Sequence, residues 1–504
     1  MLYINRLALA PVVLSSLVLF GCDGDNSTSP DTLPSESTTV ASFNFDAPFN
    51  TTFPANYQAA KDAGFDYFVQ LSLASDSSKK ITILATDDSD EDLRQAISVW
   101  MSLLSETGEN SELSKKAIFE SMASRQATLM MANTESDIGN LLVQVMNRLK
   151  VIEPSLAPVA QDDFLLHIAN DSSLYSKYGW FVNSQALGYN ETVYIGETPY
   201  FEGYGVGKTR DASVEEILHI TQAQGFSPIT HDGTNGGLQK RITDHSLSIF
   251  HDYKLNSSTG LYEYEDKDTS NDYVTHSAIW SPQTVGATND AQRQAGWNDW
   301  LGDDIPNSNP QQYIMGQSFS HEFFAAVADT YYGLYDGVRN EYQGMDNYRY
   351  ISRLTLPSDA TGFGFANEFL PKFHQYTARI DSAQTSTYFQ ANPSTGNTFK
   401  LQLSTDPSEV YTYKSQYLKN VKIIGNAAIN ILGNSANNYF EGNSANNEID
   451  GSDGTDVLKV NGPRASYTIT NLGNNTTEFS GPGIGTDKLV NVEYIKFTDQ
   501  TYKL

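Results

Sequence analysis

The chain has 504 residues, a formal net charge of −28 and one cysteine. This acidic balance argues against nucleic acid and anionic lipid surfaces as partners, because their phosphate groups repel it. A lone cysteine excludes an intramolecular disulfide, so the fold depends on ordinary apolar cores. Residues 43–422 are long enough to form one large domain or two.

The N-terminus has the pattern of an export signal. Arg6 precedes an apolar stretch over residues 7–20 that is too short to span a bilayer, and the chain then continues to Gly21 and Cys22. The Leu-x-Gly-Cys arrangement resembles the bacterial lipobox. This resemblance implies that residues 1–22 are a lipoprotein signal peptide and that Cys22 is lipidated. An ordinary signal peptide with an incidental cysteine is the alternative.

Residues 23–42 follow as a polar segment rich in Ser, Thr, Pro and Asp. Such a composition cannot bury a core, which predicts a flexible tether between the lipid and the folded protein. The expected location is the bacterial cell envelope, facing the periplasm or the exterior, with the membrane as a partner through the lipid. The sequence leaves the choice between inner and outer membrane open.

The next region mixes helical and strand patterns. Apolar residues follow strand spacing over residues 79–85 and 127–132, and helical spacing over residues 87–104 and 135–149. The sequence therefore predicts an α+β region before residue 212.

A candidate metal site begins at Ser213. Ser213 and Glu216 have capping-box spacing, which predicts that a helix starts here, and Glu215 and His219 lie one turn apart on it. The string Glu-Glu-x-x-His differs by one residue from the His-Glu-x-x-His of zinc peptidases. The pattern predicts Glu215 and His219 as metal ligands and Glu216 as general base. The alternative is a capping partner beside a half-buried helical histidine.

A third ligand is expected from a helix over residues 320–333. Glu322 is a lone acid near the start of this otherwise apolar helix, where a charge needs a partner. His321 and Asp329 are alternatives. The two helices together resemble a group of exported bacterial zincin-like proteins. This resemblance implies a zincin-like domain over residues 43–380 and a site for Zn²⁺ or another divalent metal.

The ligand set affects the expected chemistry. Two carboxylates and one imidazole are harder and more anionic than the usual two imidazoles and one carboxylate, so other divalent metals are tolerated. Bound water is then less acidic, and a peptidase with this site is expected to be slow or inactive.

Residues 381–422 are rich in Thr, Tyr and Ser. Alternation over residues 398–403 and 409–413 predicts two strands. The sequence therefore predicts a small β linker module before the C-terminal region.

Residues 433–459 form three nine-residue repeats, with a shorter copy beginning at Gly425. Each repeat has glycine first, an amide or acid sixth and a large apolar residue eighth. The spacing predicts a parallel β-helix in which the eighth residue points into a thin core and the first six form a turn. The sixth and eighth residues are Asn438, Asn447 and Asp456, and Phe440, Ile449 and Leu458.

The repeats resemble the RTX, or hemolysin-type, calcium-binding family, and residues 485–499 resemble its capping segment. The resemblance implies an all-β RTX-type domain over residues 423–504, with its own core and Ca²⁺ in its turns. Neutral Asn is expected to weaken each site. A solenoid held by Asn ladders without metal is the alternative. The predicted calcium ligands are Asn438, Asn447, Asp453 and Asp456.

Two functions fit this organisation. The first is an exported, lipid-anchored, metal-dependent hydrolase of the peptidase class with calcium-binding repeats. The second is a non-catalytic envelope binding or adhesion protein with a relic metallopeptidase fold and calcium-stabilised repeats. The expected ligand is a peptide or a polysaccharide.

Overall fold

The computed structural model describes residues 39–105, 114–202, 211–226, 237–249, 253–256, 261–264, 318–334, 348, 350, 352–391 and 397–504. They form a mixed α/β fold with helices concentrated in the N-terminal part and C-terminal strands in parallel sheets. Cys22, the predicted signal peptide and residues 23–38 of the predicted tether lie outside these residues. The end of the tether prediction is wrong, because Val40 is buried and forms a β-bridge with Leu73. Within the described ranges, no helix has both the length and the apolar composition needed to cross a membrane.

The N-terminal part alternates helices with short strands, and a π-helical turn (Gln222–Phe226) directly extends one of the helices. Its elements are α1 (Gln58–Ala63), β1 (Tyr67–Leu73), β2 (Asp76–Ala85), α2 (Asp90–Leu103), α3 (Lys115–Ser124), β3 (Thr128–Ala132), α4 (Glu135–Ile152), α5 (Phe164–Asn170), α6 (Ser172–Val182), β4 (Ser184–Gly188), α7 (Thr198–Glu202), α8 (Ser213–Thr221), α9 (Leu238–Ile249), β5 (Tyr253–Asn256), β6 (Leu261–Tyr264), α10 (Ser318–Tyr332) and α11 (Ala360–Phe369).

The sequence-predicted elements of this part are confirmed within a few residues as β2, α2, β3 and α4. Local caps explain two of the starts. The Ser89 hydroxyl accepts from the backbone N–H of Asp92 at the start of α2. At the start of α4, Thr134 and Asp137 form a capping box.

The sheet of this part has the order β1-β2-β3-β4. β1 is antiparallel to β2, whereas β2, β3 and β4 run parallel. All residues of β3 are buried, as expected for a central strand covered on both faces. β4 is the last strand in this order and packs against α8, so its side chains lie close to the helix that carries the predicted metal ligands.

The C-terminal part contains most of the strands. Its elements are β7 (His374–Asp381), α12 (Ser382–Ala391), β8 (Thr398–Lys400), α13 (Thr412–Ser415), β9 (Leu418–Ile424), β10 (Asn430–Leu432), β11 (Tyr439–Glu441), β12 (Glu448–Asp450), β13 (Val457–Lys459), β14 (Thr468–Gly473), β15 (Thr476–Ser480), β16 (Thr486–Val490), β17 (Tyr494–Lys496) and β18 (Thr501–Lys503). One sheet has the order β7-β9-β11-β13-β17-β18, and the other has the order β8-β10-β12-β16-β15-β14.

Successive repeats contribute strands alternately to the two sheets. Phe440 pairs with Leu458 in one sheet, and Ile431 pairs with Ile449 in the other. Residues 18 positions apart are therefore neighbours, as the hydrogen bond from the Asn438 N–H to Asp456 also shows. The predicted inward direction of the eighth residues is confirmed, since Phe440, Ile449 and Leu458 are fully buried.

The turns between these strands stack closely. Gly454 has a φ of 132°, a conformation that side chains disfavour, and an added Cβ would lie 2.5 Å from the carbonyl oxygen of Ala436. Glycine at this position is therefore required both by the backbone conformation and by contact with the neighbouring turn.

The predicted linker module is only partly correct. Residues 398–400 form β8, but residues 409–413 do not form a strand, because the N–H of Thr412 turns back to the carbonyl of Glu409. Their alternation has a different cause. Glu409 is buried in an ion pair with Lys400 at 2.7 Å, and Tyr411 packs on Phe399. Strands β7, β8 and β9 moreover lie in the same sheets as the repeats.

The expectation of separate cores is wrong. A single cluster of buried apolar side chains extends from Trp100 of α2 and Phe324 of α10 to Phe440 and Leu489 of the repeat sheets. A second, smaller cluster lies around Phe68 and Trp180. Loss of packing in the repeats is therefore expected to affect the whole chain.

Candidate metal centre

Helix α8 begins at Ser213 as predicted, but the predicted capping box is absent. The N-cap residue is Ala212, which has no polar side chain, and Oδ1 of the preceding Asp211 accepts from the backbone N–H of Ser213 at 3.1 Å and from that of Val193 at 3.4 Å. Because the N–H of Ser213 donates to Asp211, the carboxylate of Glu216 takes no part in capping.

The three predicted metal ligands converge. Glu215 and His219 on α8 and Glu322 on α10 each place one donor atom within 4.8 Å of the others. Glu215 and His219 are buried, and Glu322 is half-buried. In the part of the chain that the structure describes, this is the only such group of three or more. Small side-chain adjustments bring the donors to the roughly 2 Å from a common ion that metal coordination needs.

The His219 ring lies between two carboxylates. Its Nδ1 is 3.5 Å from Oε2 of Glu216, and its Nε2 is 3.7 Å from Oε2 of Glu322. Burial opposes a charge on this ring, but the carboxylates of Glu322, Glu216 and Glu215 outweigh burial and raise the pKa of His219 to about 10. Binding of a cation at this ring must displace a proton.

Gln185 is a site residue that the sequence analysis missed. It lies on β4, and its Nε2 donates to Oε2 of Glu216 at 2.6 Å. The same carboxylate oxygen faces Nδ1 of His219. Glu216 therefore connects the sheet edge to the imidazole.

The alternative ligands His321 and Asp329 are also buried on α10, but neither belongs to the converging group. The His321 ring lies 6.0 Å from the His219 ring, centroid to centroid. Burial, followed by the charge on His219, lowers the pKa of His321 to about 3. His321 is therefore a neutral neighbour of the site.

A second group of acids lies near the cap of α8. Burial is the main cause that raises the pKa of Asp92 to about 7 and that of Glu197 to about 8, and it also raises the pKa of Asp211. Asp92 stands in the first turn of α2, where the helix dipole favours a negative charge. Burial outweighs the dipole, so this carboxyl carries its charge at a cost in stability.

The Asp92→Asn variant is expected to raise the free energy of unfolding at pH 8 by on the order of 2 kcal/mol. The folded pKa lies above the ordinary value of 3.8, so wild-type stability falls as the pH rises from about 4 to about 7. Urea unfolding at pH 4 and pH 8 measures this slope, and Asp87→Asn at an exposed position is the control. An unchanged slope in Asp92→Asn would contradict the assignment.

The predicted calcium residues occupy different environments in the repeat turns. Asn438, Asn447 and Asp456 are buried, whereas Asp453 is exposed. The Asn438 amide nitrogen donates to Asn434 and to the carbonyl of Lys419. The Asn447 amide nitrogen likewise donates to three oxygens, on Asn443, Ala445 and Asp487. These amides bond oxygens within the turns, which fits the Asn-ladder alternative at these two positions.

Strand register identifies two further sixth positions that the sequence analysis assigned to the capping segment. Leu489 pairs with Ile449 and Ile495 pairs with Leu458, so Asp487 and Glu493 align with the sixth residues of the repeats. The backbone N–H of Asn447 donates to Asp487, and that of Asp456 donates to Glu493. In the sequence, the signal that could have identified both positions was an acid two residues before an apolar residue.

Asp456 and Asp487 are the buried acids at these sixth positions. Burial is the main cause that raises the pKa of Asp456 to about 8 and that of Asp487 to about 6. Oδ2 of each has no hydrogen-bond partner within the described ranges. In each carboxylate, one oxygen therefore accepts no hydrogen bond from the described residues.

Comparison with protein-family models, with curated proteins and with solved structures gives no significant match in any of the three.

Proposed function

We propose that the N-terminal α/β region is a zincin-like, metal-dependent hydrolase and that peptides are its substrate class. The observation that carries this proposal is the convergence of Glu215, His219 and Glu322 from two packed helices. The donors come from rigid elements that share one apolar core, which favours a preorganised site.

The bound cation would lower the pKa of a coordinated water and polarise a carbonyl group. Two carboxylate donors reduce this acidity and make the site tolerant of Mn²⁺ or Co²⁺ in addition to Zn²⁺. Slow hydrolysis is therefore expected. The buried triad lies beside the sheet edge β4, through Gln185, and an extended peptide matches such an edge.

Incubation of the full chain with a mixed peptide library in Zn²⁺, Mn²⁺ or Co²⁺ tests this function. The expected result is cleavage that a chelator abolishes and that Glu322→Gln lacks. Glu368→Gln, which removes a carboxylate that is paired with Arg241 and does not belong to the converging group, serves as the control and should cleave as the wild type does. Cleavage that persists in Glu322→Gln would assign the activity to another site.

The second candidate function is a non-catalytic envelope protein that binds a metal and a peptide or polysaccharide. One observation favours it. Oε2 of Glu216 contacts Gln185 and His219, so one of the two oxygens of the predicted general base is already used within the protein. Metal binding without peptide cleavage in the library experiment would select this candidate.

For the C-terminal part, the proposed role is that of an RTX-type parallel β-helix stabilised by Ca²⁺. The pairing of residues 18 apart supports two nine-residue units per turn of such a helix. The buried carboxylates of Asp456 and Asp487 are the candidate anionic ligands. Lipidation of Cys22 would anchor the whole chain at the cell envelope.

A further inference from the structure

We infer that Glu216 is a positioning residue that holds His219 for metal binding, and that Gln185 in turn holds Glu216. The inference rests on the proposed metal centre and gives Glu216 a role different from the general base that the sequence predicts.

The two ring nitrogens of His219 face different carboxylates. Nε2 of His219 faces the ligand Glu322, and Nδ1 faces Glu216. A carboxylate at Nδ1 holds a proton on that nitrogen, so the proton that a cation displaces is the one on Nε2. A carboxylate bonded to the far nitrogen also makes the ring a better donor, and metal-binding histidines usually have such a partner.

The carboxylate of Glu216 is anchored by a donor on the sheet. Gln185 donates to Glu216 at 2.6 Å, and β4 pairs with β3 along its whole length. The donor therefore stands on a rigid strand. A neutral amide holds the carboxylate without adding a positive charge that would repel the cation.

The contacts of Oε2 of Glu216 differ from those that a general base needs. A general base needs an oxygen within hydrogen-bond reach of the metal-bound water. Oε2 of Glu216 instead meets the donor of Gln185 and the ring of His219. This oxygen therefore lies on the Nδ1 side of the imidazole, whereas Nε2 faces Glu322.

The test is the affinity of the full chain for Zn²⁺ and Co²⁺ in competition with a chelating dye. Glu216→Gln keeps the shape but presents a weaker partner to Nδ1, and we expect a loss of affinity of roughly 10-fold to 100-fold. Gln185→Ala should lower affinity in the same direction by a smaller factor. Glu368→Gln is the matched control and should bind as the wild type does.

A spectroscopic readout separates positioning from a general loss of structure. In the Zn²⁺-loaded wild type, the Nδ1 proton of His219 should give a downfield, hydrogen-bonded NMR signal, which Glu216→Gln should shift upfield. Wild-type affinity and an unshifted signal in Glu216→Gln would overturn the inference while leaving the metal centre intact. Wild-type protein that binds neither ion would overturn the metal centre and the inference together.

Discussion

The His219→Ala variant is expected to lose more affinity for divalent transition metals than the roughly 10-fold to 100-fold that removal of a ligand's hydrogen-bond partner costs. His219 is the only nitrogen donor of the converging group and stands between Glu215 and Glu322. Without it two carboxylates remain, and such a pair binds soft and borderline metals weakly. Titration calorimetry of the full chain with Zn²⁺ and Co²⁺ measures the loss.

His167 on α5 provides the control for this variant, because it is exposed and lies on a different helix. His167→Ala should bind both ions as the wild type does. Retention of wild-type affinity by His219→Ala would place the metal outside the triad and refute the proposed centre.

Calcium is expected to raise the thermal stability of the full chain through the buried acids of the repeats. For a ligand at a hundredfold excess over its dissociation constant, the stabilisation is about 2.7 kcal/mol. Asp456→Asn should remove most of this gain, because Asp456 is buried with one carboxylate oxygen directed into its turn. Glu478, an exposed acid on β15 outside the repeat turns, provides the control, and Glu478→Gln should retain the gain.

The sign of the Asp456 effect should reverse in a chelator. Burial raises the pKa of Asp456 from the ordinary 3.8 to about 8, so the stability of the wild type without calcium falls as the pH rises from about 4 to about 8. Without calcium, Asp456→Asn is therefore expected to be more stable than the wild type at pH 8. Because one apolar cluster joins the repeats to the helices, calorimetry of the full chain should show the changes in the main unfolding transition. Equal midpoints in calcium and in chelator would withdraw calcium as a cofactor.

The three converging residues were predictable because each has a local signal. Glu215 and His219 are one helical turn apart, and Glu322 is an acid near the start of an apolar helix, where burial demands a partner. Gln185 had no such signal. It is a neutral residue 31 positions before Glu216, on a five-residue strand without alternation. Only the packing of β4 on α8 brings the two together.

In the repeats, too, some positions were predictable from local spacing and others only from strand register. The positions of Phe440, Ile449 and Leu458 followed from their spacing alone. Asp487 and Glu493 fall outside the nine-residue period, and strand pairing alone aligns them with the sixth positions. Over residues 409–413 the alternation of residue types does not reflect a strand, because Glu409, Tyr411 and Thr412 are all buried at the turn that leads into α13. Alternation over five residues therefore does not require a strand.

X-ray absorption spectroscopy of the metal-loaded full chain tests the central claim most directly, because it identifies the donor atoms themselves. The proposed centre predicts one imidazole nitrogen with oxygen donors otherwise, at roughly 2.0–2.2 Å, and no sulfur. The imidazole scattering should disappear in His219→Ala. A spectrum with two or more imidazoles, or one that His219→Ala leaves unchanged, would contradict the assignment of Glu215, His219 and Glu322 as the metal site.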